Sequence, residues 1–385
     1  MAGTKGPGSE DDVLLRDRDA TYEFVRDWGE DAYGVRRLVA LRTQGGTEEL
    51  RLLKWLALPD ETPPSPEVAR ARRLLEASVR LAGYLQHPAI VRVYGLHTVP
   101  GALLLEEEHV PGLSLDDLVT VKLARGSAFP ESFLVHVGLQ VAEALAYAHA
   151  RADERGVPLG IIHRNLHPCG IRMGPDGRVK LSDFGLAWSR LPGRKATTVL
   201  HPRGALYFAA PEALFLDDVD PRADLFSLGA VLLELATGRN LYNRPDVLES
   251  RLGKRLKKQD RARIARGLEA VKAAGLSLGT YRAVALQAAT FQPGDVERLS
   301  EDLSPALRSL LQTLLRRHPA ERHPTADALV ADLRVLHARQ RPYSAADAAQ
   351  AVRQALSGAG RKLIDSELWG DLRAAPGPDE VSTGP

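Results

Sequence analysis

The chain has 385 residues, is 44% hydrophobic and 26% charged, and carries a net charge of only +2. It is too apolar to be disordered throughout and long enough to build two cores, and its small net charge supplies no global field that would call for nucleic acid or a membrane surface. No apolar run approaches the ~20 residues of a membrane span, and the N-terminal MAGTKGPGSEDD lacks the apolar stretch of a secretory signal. A cytoplasmic protein is therefore expected, and the single cysteine, Cys169, excludes an internal disulfide and reads as loop filler.

Residues 1–19 are polar and Gly-rich and read as a flexible leader, with folding expected to begin near Tyr22. From 20 to 112 come short apolar runs, Leu52 to Leu58 and Leu103 to Leu105 among them, around one helical stretch from Ser65 to Leu85. This is the pattern of a β-rich unit carrying one helix. Beyond Gly112 the period changes: Phe133, Leu134, Val137, Val141, Ala144, Leu145 and Ala148 recur at helical spacing, after Pro130 and Glu131 suited to a first turn. Ile171–Met173, the turn Gly174-Pro175-Asp176-Gly177 and Val179–Leu181 read as a hairpin. Leu225 to Ala236 is apolar on nearly every face, which predicts a helix buried all round, with Gly238 at its C-cap. An insert near 243–300 starts strongly basic, a further helix spans Leu307 to Leu315, and Ser344 with Asp347 form a capping pair for a helix through Leu356. The expected organisation is thus a leader, units over 20–112 and 113–340, and a helical extension with a loose tail over 341–385.

Positions 161–170 read IIHRNLHPCG, and Asp183-Phe184-Gly185 follows twenty residues after His163. Further on stand Ala210-Pro211-Glu212, the string Asp224-Leu225-Phe226-Ser227-Leu228-Gly229, and Arg322 in HPAERHPTADAL. In this order and spacing, from about Tyr22 to Leu336, the chain resembles bacterial serine/threonine protein kinases of the eukaryotic-like type. The resemblance implies an α+β, bilobal protein-kinase-like fold with a small β-rich N-lobe and a larger α-helical C-lobe. It also implies roles. Lys54 occupies the place of the phosphate-binding lysine, Gly29 and Gly34 those of glycines in the phosphate-covering loop, and Glu108 and Val110 the adenine-binding hinge. Asp183 is the magnesium ligand of D-F-G. Arg164 is the arginine that receives a phosphate on the activation segment, with Thr197 and Thr198 as candidate acceptors. Glu212, Asp224 and Arg322 are structural, the first and last as an ion pair.

Several matched positions depart from the family pattern. The catalytic base is replaced by Asn165, the loop lysine by His167 and the second metal ligand by Gly170. Asp31 stands for the middle glycine and Arg36 for the valine that packs on adenine. Leu52 stands for the small residue above adenine, and Ser78 for the helix glutamate that pairs with the lysine. Glu107 falls where the back of the nucleotide pocket is usually apolar, with Lys54 as its natural partner, and Glu76 is the nearest helix carboxylate. Positioned bases contribute ~10²–10⁴-fold, and phosphoryl transfer rests on positioning and charge. The expectation is a pseudokinase that serves as a signalling scaffold or regulator through protein partners, an active kinase among them, and that holds ATP and magnesium weakly or not at all. Two alternatives stand beside it: an active atypical serine/threonine kinase, and an adaptor that grips an acidic partner through the basic segment 251–266. Nucleic acid is disfavoured as that partner, because no aromatic residues interleave the basic ones.

Overall fold

The computed structural model describes residues 13–31, 34–59, 64–126, 128–191, 205–244, 256–274, 278–339 and 342–359. They form two compact units, one reaching to Val110 and including Asp183–Gly185, the other built from the remainder.

The first unit is a six-stranded antiparallel sheet. In chain order its strands are β1 (Val13–Asp17), β2 (Ala20–Glu30), β3 (Arg36–Gln44), β4 (Thr47–Ala57), β5 (Val93–Val99) and β6 (Ala102–Glu108), arranged β1-β2-β3-β4-β6-β5. Strand β1 corrects the expected leader. Its register shifts between Val13 and Leu15, and such an irregularity lets the consecutive Leu14 and Leu15 both bury. One face of the sheet packs Leu15, Tyr22, Leu38, Leu53 and Leu104 together. The opposite face carries Val35, Leu56, Leu103 and Leu105 against Ala71 and Leu75 of helix α1 (Pro66–Ala82). Ser65 starts that helix, its hydroxyl accepting from the Val68 amide, with Pro66 in the first turn.

The second unit is mainly helical. A three-stranded sheet of β7 (Leu113–Ser114), β8 (Ile171–Met173) and β9 (Val179–Leu181) accompanies α2 (Leu115–Arg125), α3 (Glu131–His149) and α4 (Pro211–Leu214). Helix α5 (Arg222–Thr237) is buried along thirteen of its sixteen residues and ends on Gly238 in left-handed backbone, as its pattern requires. Where described, the basic insert is helical: α6 (Lys258–Ala273), α7 (Leu278–Thr290) and α8 (Pro293–Leu299). It belongs to the unit's core, since the buried Tyr281 donates its hydroxyl to the Leu214 carbonyl at 3.0 Å. Then follow α9 (Pro305–Leu314), α10 (Ala326–Arg339) and α11 (Ala345–Ala359). Ser344 and Asp347 make the reciprocal cap bonds at the start of α11.

Helix α11 packs on α2 and α3 and buries Ala348, Ala349, Val352, Ala355 and Leu356. Its first turn lies on the β8–β9 turn so closely that a Cβ at Gly177 would stand 1.8 Å from the Ala345 carbonyl oxygen, and Gly177 is itself left-handed at φ 77°. Gly177→Ala is therefore expected to lose more than the ~1–2 kcal/mol of left-handed backbone alone, because α11 must also shift. Urea unfolding with the wild-type midpoint would show the contact to be dispensable.

Candidate active site

In the sheet unit the site is built on neighbouring strands. Strand alternation points Lys54 to the face that α1 covers, and its ammonium lies between two carboxylates. It donates to Glu107 Oε1 at 3.0 Å, with Oε2 at 2.9 Å, and to Asp183 Oδ1 at 2.7 Å. Lys54 and Glu107 are only 7% and 3% exposed, so this is a buried ion cluster. Burial works against the ammonium, but Asp183 and Glu107 outweigh it and hold Lys54 protonated well above the usual lysine range. Glu107 is pushed up, first by burial and then by the charge of Asp183, with Lys54 opposing. Asp183 sits in left-handed backbone, φ 67°, a conformation that costs a non-glycine residue ~1–3 kcal/mol and persists where its surroundings enforce it.

Helix α1 supplies no carboxylate to this cluster. Ser78 is buried and donates to the Leu74 carbonyl, while Glu76 accepts from Arg72 one turn away on the helix surface. Gly185 lies so near α1 that a Cβ there would meet Leu74 O at 2.8 Å and Ser78 Oγ at 2.9 Å. Gly29, near the end of β2, and Gly34, in the loop that follows, both take positive φ, and Asp31 turns its carboxylate onto the Val35 amide at 3.1 Å. Arg36 is not on the lysine's face as its sequence position implied. It pairs across β3–β4 with Trp55 and bonds Asp27 at 2.6 Å, whereas Arg37 is the direct cross-strand partner of Lys54. Leu52 is buried on the lysine's face. Glu108 donates its amide to the Arg92 carbonyl and accepts from the Arg92 amide, and Val110 is buried.

One network escaped the sequence reading, which gave roles to Glu107 and Glu108 and none to Glu106. Glu106 turns to the other sheet face and accepts from Tyr22 Oη, His97 Nε2 and Arg51 Nε at 3.0–3.1 Å. Its burial is outweighed by those bonds, and its carboxyl lies below the usual range. The period-2 alternation of a strand was the signal that could have separated the three.

In the helical unit the HRN loop is organised by Asp224, which is fully buried. Its carboxylate accepts from the amides of His163 and Arg164 and from His149 Nε2, at 2.8, 2.9 and 2.8 Å. Burial alone would raise the Asp224 carboxyl, but these bonds and the histidine charges hold it low. His163 donates Nε2–H to the Ser182 carbonyl and accepts the Asn165 amide on Nδ1, which makes the Nε2–H tautomer consistent with both contacts. Arg164 is held in left-handed backbone, φ 63°. Thr197 and Thr198, its expected phosphate carriers, lie outside the described residues.

Asn165 is buried, and its side-chain oxygen accepts the Ala205 amide at 3.1 Å. Gly170 presents no side chain to a metal, and its carbonyl accepts from both the amide and the hydroxyl of Ser182. His167 lies near Asp116, whose carboxyl is raised by burial and by Asp117 while His167 and a bond from Cys169 oppose. Glu212 and Arg322 form a bidentate pair at 2.6 and 2.8 Å, as the resemblance implied, and the guanidinium also donates to the carbonyls of Arg222, Arg316 and Arg317.

The protein kinase domain matches residues 67–333. This chain belongs to the protein kinase family. The kinase domain is 28% identical over 299 residues to the tyrosine-protein kinase MasK of Myxococcus xanthus, a match covering 72% of this chain and 43% of that protein. It is 36% identical over 173 residues to the serine/threonine-protein kinase PknJ of Mycobacterium tuberculosis, covering 44% and 27%. To the serine/threonine-protein kinase pak-2 of Caenorhabditis elegans it is 30% identical over 198 residues, covering 51% and 34%. The chain thus spans less than half the length of these relatives. The sheet and helical units are the two lobes of the kinase fold, and kinase domains normally bind ATP with magnesium. Of the expected metal ligands, Asp183 offers a carboxylate suited to one magnesium that keeps waters and phosphate oxygens, while position 170 offers nothing for a second. Among the described residues no helix is long and apolar enough to cross a membrane.

The basic segment is partly consumed by the fold. Arg263 pairs with Asp217, and Arg266 bonds both Asp217 and the Phe215 carbonyl. Arg251, Lys254 and Arg255 lie outside the described residues.

Proposed function

We propose that this kinase domain is a pseudokinase, acting through protein partners and transferring phosphate weakly or not at all. The observation that carries this reading is Asn165. A carboxamide cannot accept the proton of a substrate hydroxyl, and its oxygen already holds the Ala205 amide. Forgoing a base removes ~10²–10⁴-fold, and the absent ligand at Gly170 removes positioning of the second metal on which kinase chemistry leans. Magnesium, when bound at Asp183, would supply charge neutralisation for phosphate oxygens. Lys54 would face that same charge, the hydroxyl of Ser78 would contribute none, and Asn165 would at most orient a hydroxyl.

The other reading, an active atypical kinase, is favoured by one feature: Lys54 has its carboxylate partner after all, in Glu107. The acceptor would then be a protein hydroxyl, and the relatives' names include both tyrosine and serine/threonine kinases. The deciding test incubates the protein with labelled ATP, magnesium or manganese, and a generic protein substrate, beside Asp183→Asn as control. Incorporation is expected at the level of the control in both metals. Transfer that Asp183→Asn abolishes would overturn the proposal. A thermal-shift titration with ATP and magnesium, expected to move the midpoint little, reads nucleotide binding separately, since a ligand selective for the native state must raise it.

A further inference from the structure

We propose that Glu107 positions Lys54 from within the sheet, beside the bond to Asp183, and that the kinase domain therefore keeps this lysine in place without an ionic tie to α1. The inference rests on reading Lys54 as the family's phosphate-binding lysine, and goes beyond the question of transfer.

The argument is geometric. Lys54 lies opposite Leu105 and Glu107 opposite Leu52, so the lysine and the glutamate are diagonal neighbours on adjacent strands β4 and β6, on one face. Their separation is set by the hydrogen-bonded ladder of a single sheet, and both charges are buried within it. In the family pattern the carboxylate comes from the helix, and any movement of the helix breaks the pair. Here the helix position is Ser78, whose hydroxyl is turned back onto its own helix, and Glu76 is committed to Arg72. Helix α1 packs on the sheet through Ala71 and Leu75 against Leu103 and Leu105, and its Leu74–Ser78 turn lies against Gly185. A buried carboxylate is expensive unless paired, so Glu107 at a usually apolar position needs a reason. Holding Lys54 from within the sheet supplies one. The consequence is regulatory, because a helix displacement that would switch off an ordinary kinase lysine leaves this one held.

The test uses the full chain with ¹³C,¹⁵N-labelled lysine, reading the Nζ protons of Lys54 near neutral pH after assignment with Lys54→Arg. A buried, doubly bonded ammonium exchanges slowly with water. Glu107→Gln is expected to speed that exchange about tenfold or more, the weight of one lost charge-assisted hydrogen bond. Ser78→Ala and Glu76→Gln are expected to leave it within about twofold, inside ordinary mutational scatter. Glu107→Met, apolar and of similar length, gives the same expected acceleration should the glutamine variant fold poorly. A purely structural glutamate would lower the melting temperature without altering the lysine protons. Unchanged exchange in folded Glu107 variants, or an equal acceleration in Ser78→Ala, would overturn the inference. The readout involves neither nucleotide nor transfer, so its outcome is separate from that of the labelled-ATP assay.

Discussion

Replacing Arg322 by leucine is expected to remove about 3–5 kcal/mol of unfolding free energy from the helical lobe, the usual loss when one partner of a buried ion pair is deleted. The guanidinium is fully enclosed, binds Glu212 through two nitrogens and donates to three backbone carbonyls. Its removal leaves Glu212, 4% exposed, as an uncompensated buried charge and strips donors from the carbonyls. Urea denaturation followed by circular dichroism measures the loss. The double variant Glu212→Met with Arg322→Leu should recover part of it, because the stranded carboxylate is gone. A single variant within about 1 kcal/mol of wild type, the range of an exposed pair, would mean that the pair contributes no more than a surface bridge.

Lys54→Met is expected to destabilise the folded domain. Without the ammonium, Glu107 and Asp183 face each other with Glu107 buried. The carboxyl of Glu107 is already raised by burial and by Asp183, and loses the cation that opposes the rise. Its unfolded counterpart titrates near ~4.3. Below that pH both states carry the proton and no penalty arises; as pH rises the unfolded chain ionises first, and the folded state pays for retaining the proton. The destabilisation relative to wild type should therefore be small near pH 4 and grow to several kcal/mol, about 3–5, near pH 7. Thermal unfolding of both proteins across that range tests it, and a pH-independent gap would contradict it. For the same reason Asp183→Asn, and not Lys54→Met, is the suitable inactive control.

Much of the fold could be read from local chemistry. The Ser344 cap, the turn before Val179, the left-handed Gly238 and the apolar wrap of the α5 helix each depend on a few adjacent residues, and all stand where their patterns put them. Strand register was harder. The family pattern put Arg36 over adenine, but the β3–β4 register sets Arg36 opposite Trp55, and its neighbour Val35 packs on the lysine's face, because a one-residue shift exchanges the two faces of a strand. The same alternation sent three consecutive glutamates to three different partners, Glu107 reaching the lysine and Glu106 an arginine–histidine–tyrosine cluster on the far side. Asn165 was recognisable as a changed base. Its bond to Ala205 was not, because nothing in either residue's neighbours announces a contact forty positions away.

The buried pair of Glu212 and Arg322 also bears on how the chain is made. Its partners are separated by 110 positions, so during synthesis the helical lobe must wait, with Glu212 uncompensated, until Arg322 has left the ribosome. At ~5–20 residues per second that interval is on the order of ten seconds. Lys54 and Glu107 are only 53 positions apart and can close while the second lobe is still being translated. The pair of Lys54 and Glu107 can thus close early, whereas the bond from Lys54 to Asp183, 129 positions apart, must wait until the first helices of the second lobe have been made.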